Sequence, residues 1–235
     1  MATTGLRRVE RGAGEPAVVL EAGSNCGAEA WDRVTPLLAP QVRVVAYDRA
    51  GIGGSVTAPG PADIGRQAGD LESVITGLGA GPCVLAAHSW GCFLVQRLAL
   101  RRPELVAGLV LVDPGHERMM EALHPALHWG FRHARAGRRD ELRGGDTVAN
   151  ALAMREIHDA SPPFPDVPVA VLSAGRGVPR RFRAHWTGLQ AELAAAAPRG
   201  RHLVVSDSGH SIPRRRPAAV AGAIMDVVGQ VRAGP

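Results

Sequence analysis

One serine stands in a sequence context that suits a nucleophile. Ser89 lies in the stretch AAHSWGC, with an apolar run before it and a helical pattern after it. A strand, a small-x-Ser-x-Gly turn and a helix form a nucleophile elbow, whose tightness requires small residues such as Ala87 and Gly91. The following helix N-terminus favours developing negative charge beside the hydroxyl. Ser89 is therefore interpreted as a nucleophile for acyl transfer, with a small polar residue in a turn as the alternative.

The segments that would position Ser89 alternate between apolar runs and helical patterns. Six runs have the composition of strands buried on both faces, at residues 17–23, 42–47, 82–87, 106–113, 167–173 and 201–207. Helical patterns cover residues 29–38, 62–79, 90–101, 181–197 and 214–232. The alternation predicts an α/β fold, a doubly wound and mostly parallel sheet with helices on both faces. We expect the N-terminal piece LRRVE to form a hairpin with the next strand through RGAGEP.

A long connection separates the fourth and fifth predicted strands. Residues 114–166 fill it, and they contain two helical patterns where a short loop would suffice. A long insertion with its own helices is typical of a lid rather than a loop. We therefore predict a single domain over residues 1–235, with residues 114–166 as a helical cap.

Three motifs together make the chain resemble the α/β-hydrolase family. AHSWG matches the family's elbow, although Ala87 stands where Gly is commoner. YDRAGIGGS, residues 47–55, matches the turn after the preceding strand, and DSGHSI, residues 207–212, matches the loop that carries the family's catalytic histidine. The resemblance covers nearly the whole chain. It implies a serine hydrolase with His210 as the base, and the order Ser then His agrees with it.

The other histidines are weaker candidates for the base. His88 directly precedes Ser89, but an elbow points adjacent side chains apart, so we expect His88 in the interior or against a neighbouring strand. Several histidines of the insertion are expected to be solvated helix residues, with contact to substrate as the alternative; they include His116, His124, His128 and His133.

The acid that orients the base is the least obvious member of the site. The family most often places it after the strand at residues 167–173, but AGRGVPRRFRAHW follows there, without Asp or Glu. A known variation of the family places it after the strand before the insertion, where the chain reads LVLVDPGHE. The resemblance therefore favours Asp113, with Glu117 in reserve. The alternative is that Asp113 only caps the first helix of the insertion.

The resemblance also implies an oxyanion hole. One donor is the backbone N–H of Trp90, directly after the nucleophile. The second is the N–H of Ser24, in LEAGSNCG, where Ala22 replaces the family's usual His. That histidine normally braces the loop, so we expect Glu21 or Asn25 to brace it here. The Trp90 side chain either forms a wall of the acyl pocket or packs against the insertion.

These residues predict hydrolysis of a carboxylic ester through an acyl-enzyme intermediate on Ser89. A serine in place of a nucleophilic carboxylate argues against dehalogenase or epoxide-hydrolase chemistry. One alternative is a thioesterase or acyltransferase, in which a cluster of arginines attracts an anionic carrier. The same arginines could instead form a solvated helix face. They lie in the insertion and in the segment that follows the fifth predicted strand: Arg132, Arg135, Arg138, Arg139, Arg143, Arg176, Arg180, Arg181 and Arg183. The last alternative is a non-hydrolytic, ligand-binding member of the fold.

Composition limits the remaining function classes. The net charge is +5, but all 27 basic residues are arginines spread along the chain, so we expect no nucleic-acid partner. GIGGS lacks the third Gly and acidic partner of a dinucleotide loop, and no His or carboxylate cluster has metal spacing. We therefore expect a small-molecule acyl substrate, no cofactor, no metal and no membrane partner. The N-terminus lacks a signal peptide's apolar core, which favours a cytoplasmic protein.

The three cysteines fit neither a CxxC pattern nor a Cys/His metal site. Cys83 and Cys92 lie in apolar segments and are expected to be buried thiols. Cys26 is expected to be a thiol in a polar, Gly-rich loop, with a place in the lining of a site as the alternative.

Overall fold

Six parallel strands and one antiparallel edge strand form the sheet of the computed structural model, which describes residues 5–57, 63–116, 118 and 164–234. The strands are β1 (Arg8–Arg11), β2 (Val18–Glu21), β3 (Val44–Tyr47), β4 (Cys83–His88), β5 (Val106–Val112), β6 (Pro168–Ala174) and β7 (Arg199–Val205). Their order across the sheet is β1-β3-β2-β4-β5-β6-β7. The predicted doubly wound, mostly parallel sheet is confirmed.

Helices cover both faces of this sheet. They are α1 (Thr35–Leu38), α2 (Ile64–Thr76), α3 (Gly91–Arg101), α4 (Arg180–Ala195), α5 (Ile212–Arg215) and α6 (Pro217–Ala233), with 3₁₀ turns at Ala28–Trp31 and Pro103–Leu105. Asp63 starts α2 by accepting a hydrogen bond from the Arg66 N–H at 2.8 Å, a typical N-cap contact. None of the helices that the structure describes combines the length and apolar character needed to cross a bilayer.

Alternate strand residues enter two separate cores. In β2, Val19 belongs to the core cluster that also contains residues of α2, α3 and α4, whereas Val18 and Leu20 belong to the cluster that contains residues of α1 and α6. This follows from the two-residue period of a strand. Because both faces are covered, the central strands are apolar throughout, which is why they were recognisable in the sequence.

The N-terminal strand does not form the expected hairpin. β1 pairs antiparallel with β3, from Arg8 opposite Tyr47 to Arg11 opposite Val44, and not with β2. The prediction was wrong because β2 lies inside the sheet, where β3 and β4 already pair with both of its edges. The outer edge of β3 remained free to pair with β1.

The predicted cap lies almost wholly outside the described residues. Of residues 114–166, the structure describes 114–116, 118 and 164–166. The cap and the single-domain organisation of residues 1–235 therefore stay predictions.

The carboxyl ends of the parallel strands meet at one edge of the sheet. His88 pairs in register with Val112, and Val112 pairs with Leu172. The residues that directly follow β4 and β5, Ser89 and Asp113, are therefore brought to neighbouring positions. Ligand sites of open α/β sheets form at this edge.

Candidate active site

Ser89 forms a strained turn between β4 and α3. Its φ is +55°, in the left-handed region that non-glycine residues seldom adopt. Its N–H donates to the Val112 carbonyl at 3.0 Å, and its carbonyl accepts from the Cys92 N–H at 3.1 Å. A Cβ on Gly91 would lie 2.5 Å from the Ala22 carbonyl oxygen, so only glycine fits there. The turn thus has the strained strand-to-helix geometry of a nucleophile elbow.

His210 lies within hydrogen-bond distance of Ser89. It follows β7 on a loop, and its Nε2 is 2.9 Å from Ser89 Oγ. The His210 side chain is 55% exposed, and Ser89 is partly buried. This geometry suits transfer of the hydroxyl proton to the imidazole.

Asp113 holds the other nitrogen of the imidazole. Its Oδ2 is 2.6 Å from His210 Nδ1, and its N–H donates to the Leu172 carbonyl at 2.6 Å. Burial acts to raise the pKa of this carboxyl, which is only 2% exposed. Hydrogen bonds from His210 and the Ala174 N–H outweigh burial and hold the pKa below its ordinary value. Asp113 is therefore an anion that can stabilise a charged imidazole. The reserve acid, Glu117, lies outside the described residues.

Two side chains of α4 that were not predicted as site residues also contact Asp113. Trp186 Nε1 and Gln190 Nε2 both donate to Oδ1, at 3.2 and 3.1 Å. They lie in and just after the segment where the family's usual acid is missing. The four-residue spacing of the two donors was the available signal, since it places them on one helix face.

His88 supports the loop that carries His210. Its Nε2 is 2.8 Å from the His210 carbonyl oxygen, and the two rings lie 4.7 Å apart. Because a carbonyl only accepts, Nε2 carries a proton and donates it. Burial lowers the pKa of His88 to about 4, and the neighbouring His210 acts in the same direction. His88 thus lies against the histidine loop rather than in the sheet interior.

The pKa of His88 predicts a loss of stability in acid. Because the folded pKa is depressed from 6.5 to about 4, the unfolded chain binds a proton that the folded chain excludes between those values. Stability is therefore fully present above about pH 6.5 and falls as the pH drops through 4. We expect His88→Phe to remove up to about 3 kcal/mol of the acid-induced loss, measured by urea unfolding at about pH 7 and about pH 4. The exposed His185, replaced in the same way, is the control. An equal loss in wild type and His88→Phe would contradict this.

The loop that carries the predicted second oxyanion donor passes directly beside Ser89. A Cβ on Gly23 would lie 3.3 Å from Ser89 Cβ, and Ser24 is the next residue. Within the described part of the chain, no acceptor pairs with the N–H of Ser24 or with that of Trp90. Among the described residues, both N–H groups are thus unpaired near the nucleophile, which is the condition for an oxyanion hole.

Glu21 and Arg49 brace this loop together. Arg49, which is 3% exposed, donates from Nη1 to the Ala22 carbonyl at 2.8 Å and from Nη2 to the Gly23 carbonyl at 2.6 Å. Glu21 forms an ion pair with Arg49 and accepts from the Tyr47 hydroxyl. Burial raises the pKa of Glu21, although Arg49 opposes the effect. Of the two expected braces, Glu21 takes part through Arg49, a residue of the YDRAG motif whose bracing role was not predicted.

The positions of the remaining predicted residues can be given in part. Trp90 Nε1 donates to Gln67 Oε1 on α2 at 3.0 Å, and its ring packs 5.5 Å from that of Phe93.

Cys83 and Cys92 are buried as predicted, and Cys26 is partly exposed. The predicted cap histidines and arginines lie outside the described residues, except His116, which is buried. No group of three metal-binding side chains occurs among the residues that the structure describes.

Known proteins resemble this chain in sequence and in fold. The sequence model of the family described as alpha/beta hydrolase fold matches residues 16–154. The uncharacterized protein YqjL of Bacillus subtilis is 24% identical over 222 residues, which are 92% of this chain and 85% of that protein. A putative carbamate hydrolase, RutD of Klebsiella pneumoniae, is 34% identical over 129 residues, or 52% of this chain and 48% of that protein. A thermophilic esterase from Thermogutta terrifontis has the same fold, with a TM-score of 0.72, 24% identity, and coverage of 98% of this chain and 97% of that one.

Proposed function

The chain belongs to the α/β-hydrolase fold family and is a hydrolase enzyme, and we propose that it cleaves a carboxylic ester through an acyl-enzyme intermediate on Ser89. The observation that carries this proposal is the hydrogen-bonded series from Ser89 Oγ through His210 to Asp113, at 2.9 and 2.6 Å. A nucleophile, a base and an anion that orients the base are the three parts that acyl transfer by serine requires.

In the proposed mechanism, Ser89 Oγ attacks the acyl carbon while its proton passes to His210 Nε2. Asp113 stabilises the resulting imidazolium through Nδ1. The N–H groups of Trp90 and Ser24 bind the oxyanion of the tetrahedral intermediate. Collapse of that intermediate breaks the ester bond, and the leaving alcohol takes the proton from Nε2. His210 then removes a proton from water, which attacks the acyl-enzyme, releases the acid and restores Ser89.

Two structural features support turnover over the ligand-binding alternative. The ligand-binding alternative rests on two absences in the sequence. These are the missing carboxylate after β6 and the missing histidine in the oxyanion loop. Asp113 reaches His210 from β5 instead, and Arg49 holds the Ala22 and Gly23 carbonyls instead. Each absence in the sequence thus has a replacement in the structure.

A carbamate is the second candidate substrate. Its carbonyl carbon would be attacked by the same three residues, and the Klebsiella relative carries this activity in its name. Thioesters of an acyl carrier are the third acyl class that this geometry admits. The choice among them depends on the predicted cap.

A fluorophosphonate probe tests the proposed nucleophile directly. We expect the folded protein to be phosphonylated on Ser89, as located by peptide mass, and to hydrolyse p-nitrophenyl esters of short acids. The matched acyl thioesters and aryl carbamates serve as comparison substrates. A folded protein that resists the probe would overturn the proposal. A preference of about a hundredfold for thioesters, roughly 3 kcal/mol in transition-state binding, would replace ester hydrolysis with thioester hydrolysis.

A further inference from the structure

The oxygen of Asp113 that does not contact His210 is surrounded by donors. Oδ1 accepts from the Ala174 N–H at 3.0 Å, from Trp186 Nε1 at 3.2 Å and from Gln190 Nε2 at 3.1 Å. Trp186 and Gln190 lie one turn apart on α4, and Gln190 is fully buried. With three donors on Oδ1, rotation of the carboxylate is opposed and Oδ2 is left to His210.

The amide of Gln190 is itself fixed from its other end. Its Oε1 accepts a hydrogen bond from Ser173 Oγ, and Ser173 Oγ lies 2.6 Å from His202 Nε2. A hydroxyl has one proton to donate. Because Ser173 gives that proton to Gln190, it must accept from His202 Nε2–H. The donors therefore run in one direction from His202 through Ser173 and Gln190 to Asp113, and bonds aligned in this way strengthen one another.

The opposite orientation of the amide is excluded by its neighbours. Gln190 Nε2 also donates to the Pro114 carbonyl at 2.8 Å. A rotated amide would place Oε1 against that carbonyl and against the Asp113 carboxylate, with two donors lost. Two acceptors would then face each other in a buried place, which is costly.

We propose that Trp186 and Gln190 are positioning residues for the acid of the hydrolase site, and that Ser173 and His202 fix the Gln190 amide in the donating orientation. The inference rests on the proposed function, because it assigns Asp113 the role of orienting His210. The two α4 side chains belong to the helix that follows β6, the strand after which the family's usual acid would be expected. They hold the acid of the neighbouring strand in place of supplying one.

The electrostatics of Asp113 agree with this role. Burial disfavours its charged form, and the Gln190 amide is among the hydrogen bonds that keep its pKa low. Removal of a donor should therefore make the carboxylate easier to protonate and freer to rotate. The first effect can be observed without turnover, and the second affects kcat.

Gln190→Met tests the inference, because it keeps an unbranched side chain and removes the amide. We expect kcat to fall about tenfold with KM unchanged, since Asp113 does not contact substrate. We also expect the carboxyl titration of Asp113, followed by ¹³C NMR, to move to higher pH. Gln96→Met is the matched control: this buried glutamine of α3 donates to the Cys92 carbonyl at 2.8 Å and forms no hydrogen bond with Ser89, His210 or Asp113 in the described part of the chain. It should leave the titration and kcat at their wild-type values.

A second pair of variants tests the fixed orientation of the amide. Ser173→Ala removes the donor to Gln190 Oε1, and we expect the same two changes as in Gln190→Met. Ser173→Thr keeps a hydroxyl on a strand that suits threonine, and it should restore both readouts. This pair decides the question even if Gln190→Met does not fold.

The outcomes separate this inference from the proposed function. An Asp113 titration that is unchanged in folded Gln190→Met and Ser173→Ala overturns the inference, whether or not Ser89 turns over. A fluorophosphonate-resistant Ser89 overturns the proposed function. In that case a shifted Asp113 titration still supports the role of Gln190 in holding the carboxylate.

Discussion

Substituting alanine for Ser89 is expected to lower kcat for ester hydrolysis by about 10⁶, because the proposed covalent route then has no nucleophile. The hydroxyl has His210 Nε2 as its hydrogen-bond partner at 2.9 Å, so its removal leaves the fold intact. Alanine has the same Cβ as serine, and the strained φ of +55° is unchanged. The measurement is kcat with a p-nitrophenyl ester under saturating conditions, with circular dichroism as the check on folding.

Ser73→Ala on α2 is the matched control for this substitution. It removes a serine hydroxyl from a partly buried helix position that has no role in the proposed mechanism. Its kcat should equal that of wild type. If Ser89→Ala kept more than about one hundredth of the wild-type kcat, far above the residual catalysis of other disabled triads, the acyl-enzyme mechanism would be wrong.

The second large effect is expected from Asp113→Asn, about 10⁴ in kcat. The size of this effect follows from the N–H donors around position 113, because they fix the orientation of the asparagine amide. Ala174, Trp186 and Gln190 all direct N–H groups to the place of Oδ1, so the asparagine oxygen must take that place. The asparagine NH₂ then faces His210 Nδ1 and donates to it. The imidazole proton is forced onto Nε2, which can no longer accept the proton of Ser89.

The alternative acid provides the control for Asp113→Asn. Glu117→Gln should keep the wild-type kcat. Asp113→Asn should fold, because asparagine tolerates the φ of +45° at position 113. A nearly normal Asp113→Asn together with an inactive Glu117→Gln would show that Glu117 is the acid. The pH–rate profile of each variant, taken with the ester substrate, completes the comparison.

The parts of the site that could be predicted from the sequence depend on local order along the chain. Ser89 and Asp113 each follow an apolar strand directly, so a parallel sheet brings them to one edge once the strands are recognised. His210 could be predicted because its loop resembles a known motif. The pairing of β1 with β3 could not be predicted, since it depends on which sheet edge remains free after the other strands have paired.

Contacts between distant segments account for what the sequence did not reveal. Arg49 braces carbonyls 26 and 27 positions away along the chain, and Gln190 reaches Asp113 over a separation of 77. His88 was expected to point away from the site, but the loop after β7 folds back onto its ring. In each case the sequence shows a residue that can form hydrogen bonds, but tertiary packing determines which partner it has.

The close packing at Pro114 has a practical consequence for protein engineering. Gln190 holds the Pro114 carbonyl at 2.8 Å, and Gly115 lies so near Phe93 that a Cβ would come within 2.7 Å of its ring. On the far side, Phe164 is buried in the core. Residues 117–163 are thus bounded by two anchored junctions, the first of them immediately after Asp113. We therefore expect that this span, which makes up most of the predicted cap, can be exchanged for the corresponding span of another hydrolase while the sheet that carries Ser89 and Asp113 stays unchanged.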